Sequence, residues 1–243
     1  MIIKEKFKVL LKDIGKNNCI KNIGLLEMLE NIATHHSDSL GFGPNNVQEK
    51  GFVWILLDWR LQVFRRPKYG EILEVHTWAR DTEKMKRTCT YRDFEIYDES
   101  NKLCAIATSK WVMVDISTGR ISRISEDIIE KYQIENKNVF NEDELDKITI
   151  PESFNKEMSY KVARRDIDLN RHVHNLNYLY FAYEALPDDV YENRPYNNLR
   201  IQYKKEIKYG EMIKFKYSFE NEKHIVTIFN EDESRVHAVV ILY

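Results

Sequence analysis

The sequence predicts an α+β fold built twice, as two tandem modules that each wrap a long antiparallel sheet around a buried helix. Three observations lead there. Two blocks of the chain recur in the same order, and each copy reads as strand, turn, helix and then strands. Both helices are apolar around much of their circumference, the pattern of a helix enclosed on all sides.

Setting the chain against itself exposes the repeat. Residues 8–23 align with residues 161–176 at an offset of 153, and six of sixteen positions coincide. Residues 60–77 align with residues 200–217 at an offset of 140, where Arg, Gln, Lys, Tyr, Gly and Glu coincide. The offset falls by 13 because the first copy has a longer stretch after its helix, around residues 41–50. Two matched blocks in one order read as a duplication.

A short strand over residues 7–11 opens the first copy, followed by a turn rich in Asn and Asp. Ile23, Leu26, Leu29 and Ala33 recur at helical spacing, so a helix spans residues 23–33, with His35-His36-Ser37-Asp38 as its frayed end. Strands follow over residues 52–64, 72–79, 88–97 and 105–114. Residues 125–153 carry eight acids between Glu126 and Asp146 and little alternation, so they read as a surface linker with a short helix at 125–132. The second copy has a strand at 159–164 and a helix at 176–186 that Pro187 ends. Its strands are expected at 199–205, 211–219, 224–229 and 236–243. Tyr69-Gly70 and Tyr209-Gly210 read as hairpin turns, because Gly tolerates a positive φ. The expected domains are residues 1–124, a linker at 125–156, and residues 157–243. This arrangement, repeated twice, is the one called the hotdog fold.

Composition excludes much. Lys+Arg 37 against Asp+Glu 39 gives a net charge of -2, which argues against a protein held to nucleic acid by overall charge. The longest apolar run, residues 52–57, is six residues, and a bilayer span needs about 20. Charge at the N-terminus stands where a signal peptide would need its apolar core. Cys19, Cys89 and Cys104 cannot all pair within one chain, so a reduced, cytoplasmic protein is expected. Gly-rich phosphate loops, G-x-S-x-G, H-E-x-x-H and C-x-x-C are all missing. The chemistry is therefore expected from ordinary side chains, with no cofactor and no metal. His172-x-His174 has no second ligand pair at useful spacing.

One cluster carries chemistry. Asp168, Asn170 and His172 alternate along the turn into the second helix, so an extended segment would put all three on one side. A carboxylate takes a proton from water, and an amide with an imidazole donates to a developing oxyanion. Glu206, between Lys205 and Ile207 in a strand over residues 200–207, offers a second carboxylate. Asp and Asn before a helix are also common caps and turn formers. The first copy separates the two readings. It has Gly15 at the position of Asp168, Cys19 at that of His172 and Arg66 at that of Glu206, and keeps only Asn17 for Asn170. A turn that survives without the acids and the imidazole points to one working site, in the second half.

DLNRHVHNLNYL at residues 168–179 resembles the D-x-N-x-H-V-x-N-x-x-Y signature of the acyl-acyl carrier protein thioesterases, the plant plastid enzymes and their bacterial relatives. The family's later Tyr-Arg-Arg-Glu-Cys strand matches YKKEI at residues 203–207, and its opening domain resembles the first half, including WVMVD at residues 111–115. The resemblance implies hydrolysis of the thioester joining a fatty acyl chain to carrier protein, with Asp168, Asn170, His172 and Glu206 as catalytic set. It also makes the first module the acyl-chain side. Many plant members place a cysteine after the glutamate, where this chain has Ile207, so a carboxylate mechanism remains. Asp168 and Glu206 would then activate water near the N-terminus of the second helix, with Asp168 favoured as base and His172 protonating the leaving thiolate. Direct attack by Asp168, giving an anhydride, stays open.

Carrier protein is acidic, so Arg164, Arg165, Lys204, Lys205 and Lys208 offer it a docking surface. Ordinary solvated charge is the competing reading for each of these clusters and for Arg65-Arg66. A homodimer is a further option. Hydrolysis of acyl-CoA is the nearest alternative function, followed by a hydratase of the same fold and a non-catalytic acyl-binding protein.

Overall fold

Both halves of the chain fold with the same strand order. The computed structural model describes residues 1–80 and 87–243, which divide into two units, Met1–Glu144 and Leu145–Tyr243. The strands of the first unit are β1 (Ile3–Lys8), β2 (Phe52–Val63), β3 (Ile72–Ala79), β4 (Thr90–Asp98) and β5 (Leu103–Asp115). They pair antiparallel in the order β1-β3-β4-β5-β2, with the two-residue β6 (Ile121–Ser122) on β5. The second unit has β7 (Lys156–Lys161), β8 (Asn198–Tyr203), β9 (Met212–Glu220), β10 (Lys223–Asn230) and β11 (Val236–Leu242). Their order is β7-β9-β10-β11-β8. Counted from its own start, each unit reads first-third-fourth-fifth-second. The duplication is therefore present in topology as well as in sequence.

The helices are α1 (Asn22–Ser39), α2 (Val47–Lys50), α3 (Glu126–Tyr132), α4 (Asn177–Ala185) and α5 (Asp188–Glu192). Leu25, Leu26, Leu29 and Ile32 of α1 are fully buried, and so are Trp59, Trp78, Tyr91 and Phe94 of the sheet. In the second unit Phe181 of α4 stacks on Phe215 of β9 at 5.3 Å. Each unit thus closes its sheet around one apolar helix, a hotdog module.

Three local expectations need correction. First, α1 is not frayed at His35: it continues to Ser39, and Gly41 at φ 77° turns the chain away. Second, the opening strands lie earlier than alternation places them. Asp13 and Asp166 accept the N–H groups of Leu10 and Ala163, each at 2.8 Å, and pull the residues between into single 3₁₀ turns. Third, the Tyr-Gly turns are not hairpins. β2 pairs with β5, whereas β3 pairs with β1 and β4. Gly70 (φ 86°) and Gly210 (φ 81°) instead seat β3 and β9 on the first strand of their unit. Their N–H groups donate to Val9 and Val162 carbonyls at 3.0 and 3.1 Å.

The acid-rich segment is less of a surface linker than its composition suggests. Ile128 and Tyr132 of α3 are buried with Phe42, Ala79 and Met113 of the first unit, and Ile148 packs on Ile225 and Val239 of the second. No helix among the described residues is long and apolar enough to cross a membrane.

Candidate active site

The loop between β7 and α4 is a frame of backbone hydrogen bonds that the first copy repeats. Asp168 N–H donates to His172 O at 2.8 Å, as Gly15 N–H does to Cys19 O at 2.9 Å. Val173 N–H donates to Ile207 O at 2.8 Å, as Ile20 N–H does to Pro67 O at 2.9 Å. His174 N–H reaches Asp166 O at 2.9 Å, and Lys21 N–H reaches Asp13 O at 2.8 Å. The bridge His172–Lys208 has its counterpart in Cys19–Lys68. The sequence alignment is thus right in space, and the frame holds whether position 168 or its equivalent is Asp or Gly.

Within the frame the segment is a tight turn, and the alternation argument for it fails. Arg171 takes φ 64° and its N–H donates to Asp168 O at 3.1 Å. Asp168 and Asn170 meet because the chain folds back. Asp168 Oδ1 accepts the Asn170 N–H at 2.8 Å and the His172 N–H at 3.3 Å, while Oδ2 lies 3.5 Å from Asn170 Nδ2. One carboxylate oxygen shapes the turn, leaving the second the less engaged of the two. Leu169, at the tip, is 81% exposed.

Glu206 stands just beyond β8, whose last paired residue is Tyr203. The chain bulges there because Lys204 and Lys205 N–H groups both donate to His237 O, at 2.8 and 3.1 Å. Partial burial pushes the Glu206 carboxyl up. The Lys205 ammonium at 2.9 Å, a backbone contact and the nearby His172 outweigh that, so the net shift is down. Glu206 is accordingly an anion at neutral pH, paired with Lys205 and within electrostatic reach of His172 on the adjacent segment.

Beneath both segments lies Tyr178, on the first turn of α4 and buried to 3% exposure. Burial raises its pKa first, and the charges of Glu206, Glu211 and Asp168 raise it further, against a contact with the Ile207 backbone. It keeps its proton. His237 was not among the residues singled out from the sequence, and Tyr178 entered there only as the last residue of the 168–178 signature. The self-comparison did hold a signal for Tyr178, since Leu25 occupies its place in the first copy.

Arg164, Arg165, Lys204, Lys205 and Lys208 are all exposed, on the two segments that carry Asp168 and Glu206. In the first copy the counterparts of Lys205 and Glu206 are both arginines engaged in structure. Arg65 pairs with Glu71 at 2.7 Å and Asp98 at 3.0 Å, and Arg66 donates to Ile20 O at 3.1 Å. Burial pushes the Cys89 and Cys104 thiols up, which makes them poor nucleophiles. No disulfide forms among the described residues. What the second unit gathers is two carboxylates, an amide and an imidazole at a basic, exposed rim: parts for activating water beside a polarised carbonyl.

Comparison with known proteins bears on the family and the fold. Residues 1–132 match the family model of the acyl-ACP thioesterase N-terminal domain, and residues 149–239 that of the C-terminal domain. Oleoyl-acyl carrier protein thioesterase 1, chloroplastic, of Arabidopsis thaliana is 23% identical over 227 residues, covering 86% of this chain and 62% of its own length. A palmitoyl-acyl carrier protein thioesterase, chloroplastic, of Cuphea hookeriana is 24% identical over 219 residues, covering 85% and 52%. The chain therefore spans between about half and six-tenths of the length of these curated relatives. Among solved structures, an acyl-ACP thioesterase from Bacteroides thetaiotaomicron superposes with a TM-score of 0.86 at 21% identity, covering 99% of this chain and 96% of that one. The 12:0-ACP thioesterase from Umbellularia californica gives 0.87 at 17% identity, with coverage of 99% and 96%. At these identities the structures speak for the fold.

Proposed function

Because the chain belongs to the acyl-ACP thioesterase family, we propose that it hydrolyses the thioester of a fatty acyl-acyl carrier protein. The observation that carries the reading is the asymmetry of the duplicated loop. One backbone frame is built twice, and only the second copy bears Asp168, His172 and Glu206.

In the proposed reaction the scissile carbonyl lies by the N-terminal turn of α4, whose dipole favours developing negative charge. Asp168 takes a proton from water as its oxygen attacks the carbonyl carbon. Asn170 orients the water and the carboxylates. Glu206, kept ionised, holds His172 and helps place the water. The tetrahedral intermediate collapses with cleavage of the C–S bond, and the proton that Asp168 took from water passes by way of His172 to the leaving thiolate, which restores both residues. Fatty acid and the free thiol of the carrier result. Arg164, Arg165, Lys204, Lys205 and Lys208 would receive an acidic carrier protein. A cytoplasmic setting belongs to the same proposal, and a homodimer is decided by sedimentation velocity.

Turnover of fatty acyl-carrier and acyl-CoA thioesters of graded chain length tests the reading. Higher kcat/KM on the carrier series, falling as salt rises, is expected. Preference for CoA would replace the substrate assignment, and no turnover on either series would overturn it. Full alkylation of accessible thiols should leave kcat within about two-fold, since no thiolate takes part. Loss of most activity at intact fold would contradict the carboxylate mechanism.

A further inference from the structure

The bulge that presents Glu206 is held by one residue from two directions. The His237 carbonyl accepts the Lys204 and Lys205 N–H groups, and its ring Nδ1 lies 3.1 Å from Lys205 O. The ring is 1% exposed, and its Nε2 has no hydrogen-bond partner among the described residues. Of the two neutral tautomers, only the one protonated at Nδ1 can donate to that carbonyl. Burial, the leading influence on the ring, favours the neutral form.

The first copy shows that the bulge itself needs no imidazole. Phe64 and Arg65 N–H groups converge on Cys104 O at 2.8 and 3.1 Å, the same two bonds, with a thiol in the place of the ring. That thiol points to Lys102 O at 3.5 Å. Burying an imidazole with an unpaired nitrogen is unfavourable, and at this position of the duplicated frame the second copy does so where the first places a thiol. Glu206 also lies past the last paired residue of β8, so the strand ladder does not orient it.

We propose that His237 is a positioning residue for Glu206. By holding Lys205 O, its Nδ1–H fixes the rotation of the Lys205–Glu206 peptide and hence the direction in which the Glu206 carboxylate leaves the backbone, toward His172. The inference rests on the thioesterase reading for its effect on turnover, but the hydrogen bond itself does not.

Four variants and one spectrum decide it. His237→Leu should lower kcat roughly 10- to 30-fold with KM within about two-fold, because the carboxylate is misplaced and binding is untouched. His237→Cys, which copies the first unit, should lose as much. His237→Asn should recover to within about three-fold, since its Nδ2 occupies the place of Nδ1. In a Glu206→Gln background, His237→Leu should have less than about a two-fold further effect. An equal loss in both backgrounds, or an Asn variant as poor as Leu at unchanged melting temperature, would overturn the proposal. Side-chain ¹⁵N NMR of the wild type is the second arm, and it keeps its force if Leu fails to fold. A protonated Nδ1 with bare Nε2 supports the grip, and an Nε2–H tautomer refutes it. A wild type that turns over no thioester would sink the functional reading, while the tautomer still decides this one.

Discussion

Asp168→Asn is expected to lower kcat by about 10² or more while leaving the fold essentially unchanged. An amide cannot take a proton from water, so the reaction loses its base. The turn loses little, because Asn makes the same hydrogen bonds to the backbone two residues on. The first copy supports the second half of that statement: Gly15 carries no side chain, yet Gly15 N–H still bonds Cys19 O at 2.9 Å. The converse substitution, Gly15→Asp, should add no activity, because Cys19 and Arg66 supply neither imidazole nor carboxylate there. Steady-state kinetics with thermal melts on both variants is the measurement. Near-normal turnover by Asp168→Asn would move the base to Glu206. Unfolding would mean that the carboxylate is there for the turn.

The second large effect is on stability and belongs to the first unit. His36 on α1 is 1% exposed, and Arg92 Nη1 lies 2.9 Å from its Nδ1. Arg92 Nη1 also donates to Thr77 Oγ1 at 3.3 Å, and its guanidinium lies 5.7 Å from the centre of the Tyr132 ring. Burial and then the Arg92 charge lower the His36 pKa from 6.5 to about 3. Below pH 6.5 the unfolded chain therefore binds a proton that the folded chain refuses. Stability falls as pH drops through 6.5 and goes on falling to about 3, where the folded form also protonates. The full contribution is on the order of 3–5 kcal/mol. Denaturant unfolding from pH 7 to pH 4 should show wild type losing stability relative to His36→Gln, which has nothing to protonate. Parallel curves would show that another group governs acid sensitivity.

The sequence made some features legible and hid others, for physical reasons. Helical and strand periodicities are local, so α1, α4 and most strands sit within a few residues of their expected places. The duplicated blocks preserved the loop register well enough to pair Gly15 with Asp168 and Arg66 with Glu206, as the repeated backbone bonds show. Strand order was not legible, because β2 passes over β3 and no local pattern records which strand a residue will face. The same blindness hid His237, whose relation to Lys205 exists only through the pairing of β11 with β8. Alternation misled at residues 168–172, where a carboxylate accepting N–H groups turned the backbone and the spacing kept no strand meaning.

The crossed order of the second unit also imposes a schedule. β9, β10 and β11 pair with their neighbours along the chain, so their loops close at small entropic cost. β7 and β8 pair with β9 and β11 across long separations, and such contacts are slow to form. Asp168 lies in the loop that follows β7, and Glu206 three residues past the end of β8. In pulsed hydrogen exchange, amides of β9–β11 should gain protection before the Val173 amide, whose acceptor is Ile207 O. Simultaneous protection would contradict this. Catalytic competence then arrives after the rest of the unit is in place, so recovered turnover dates the end of folding.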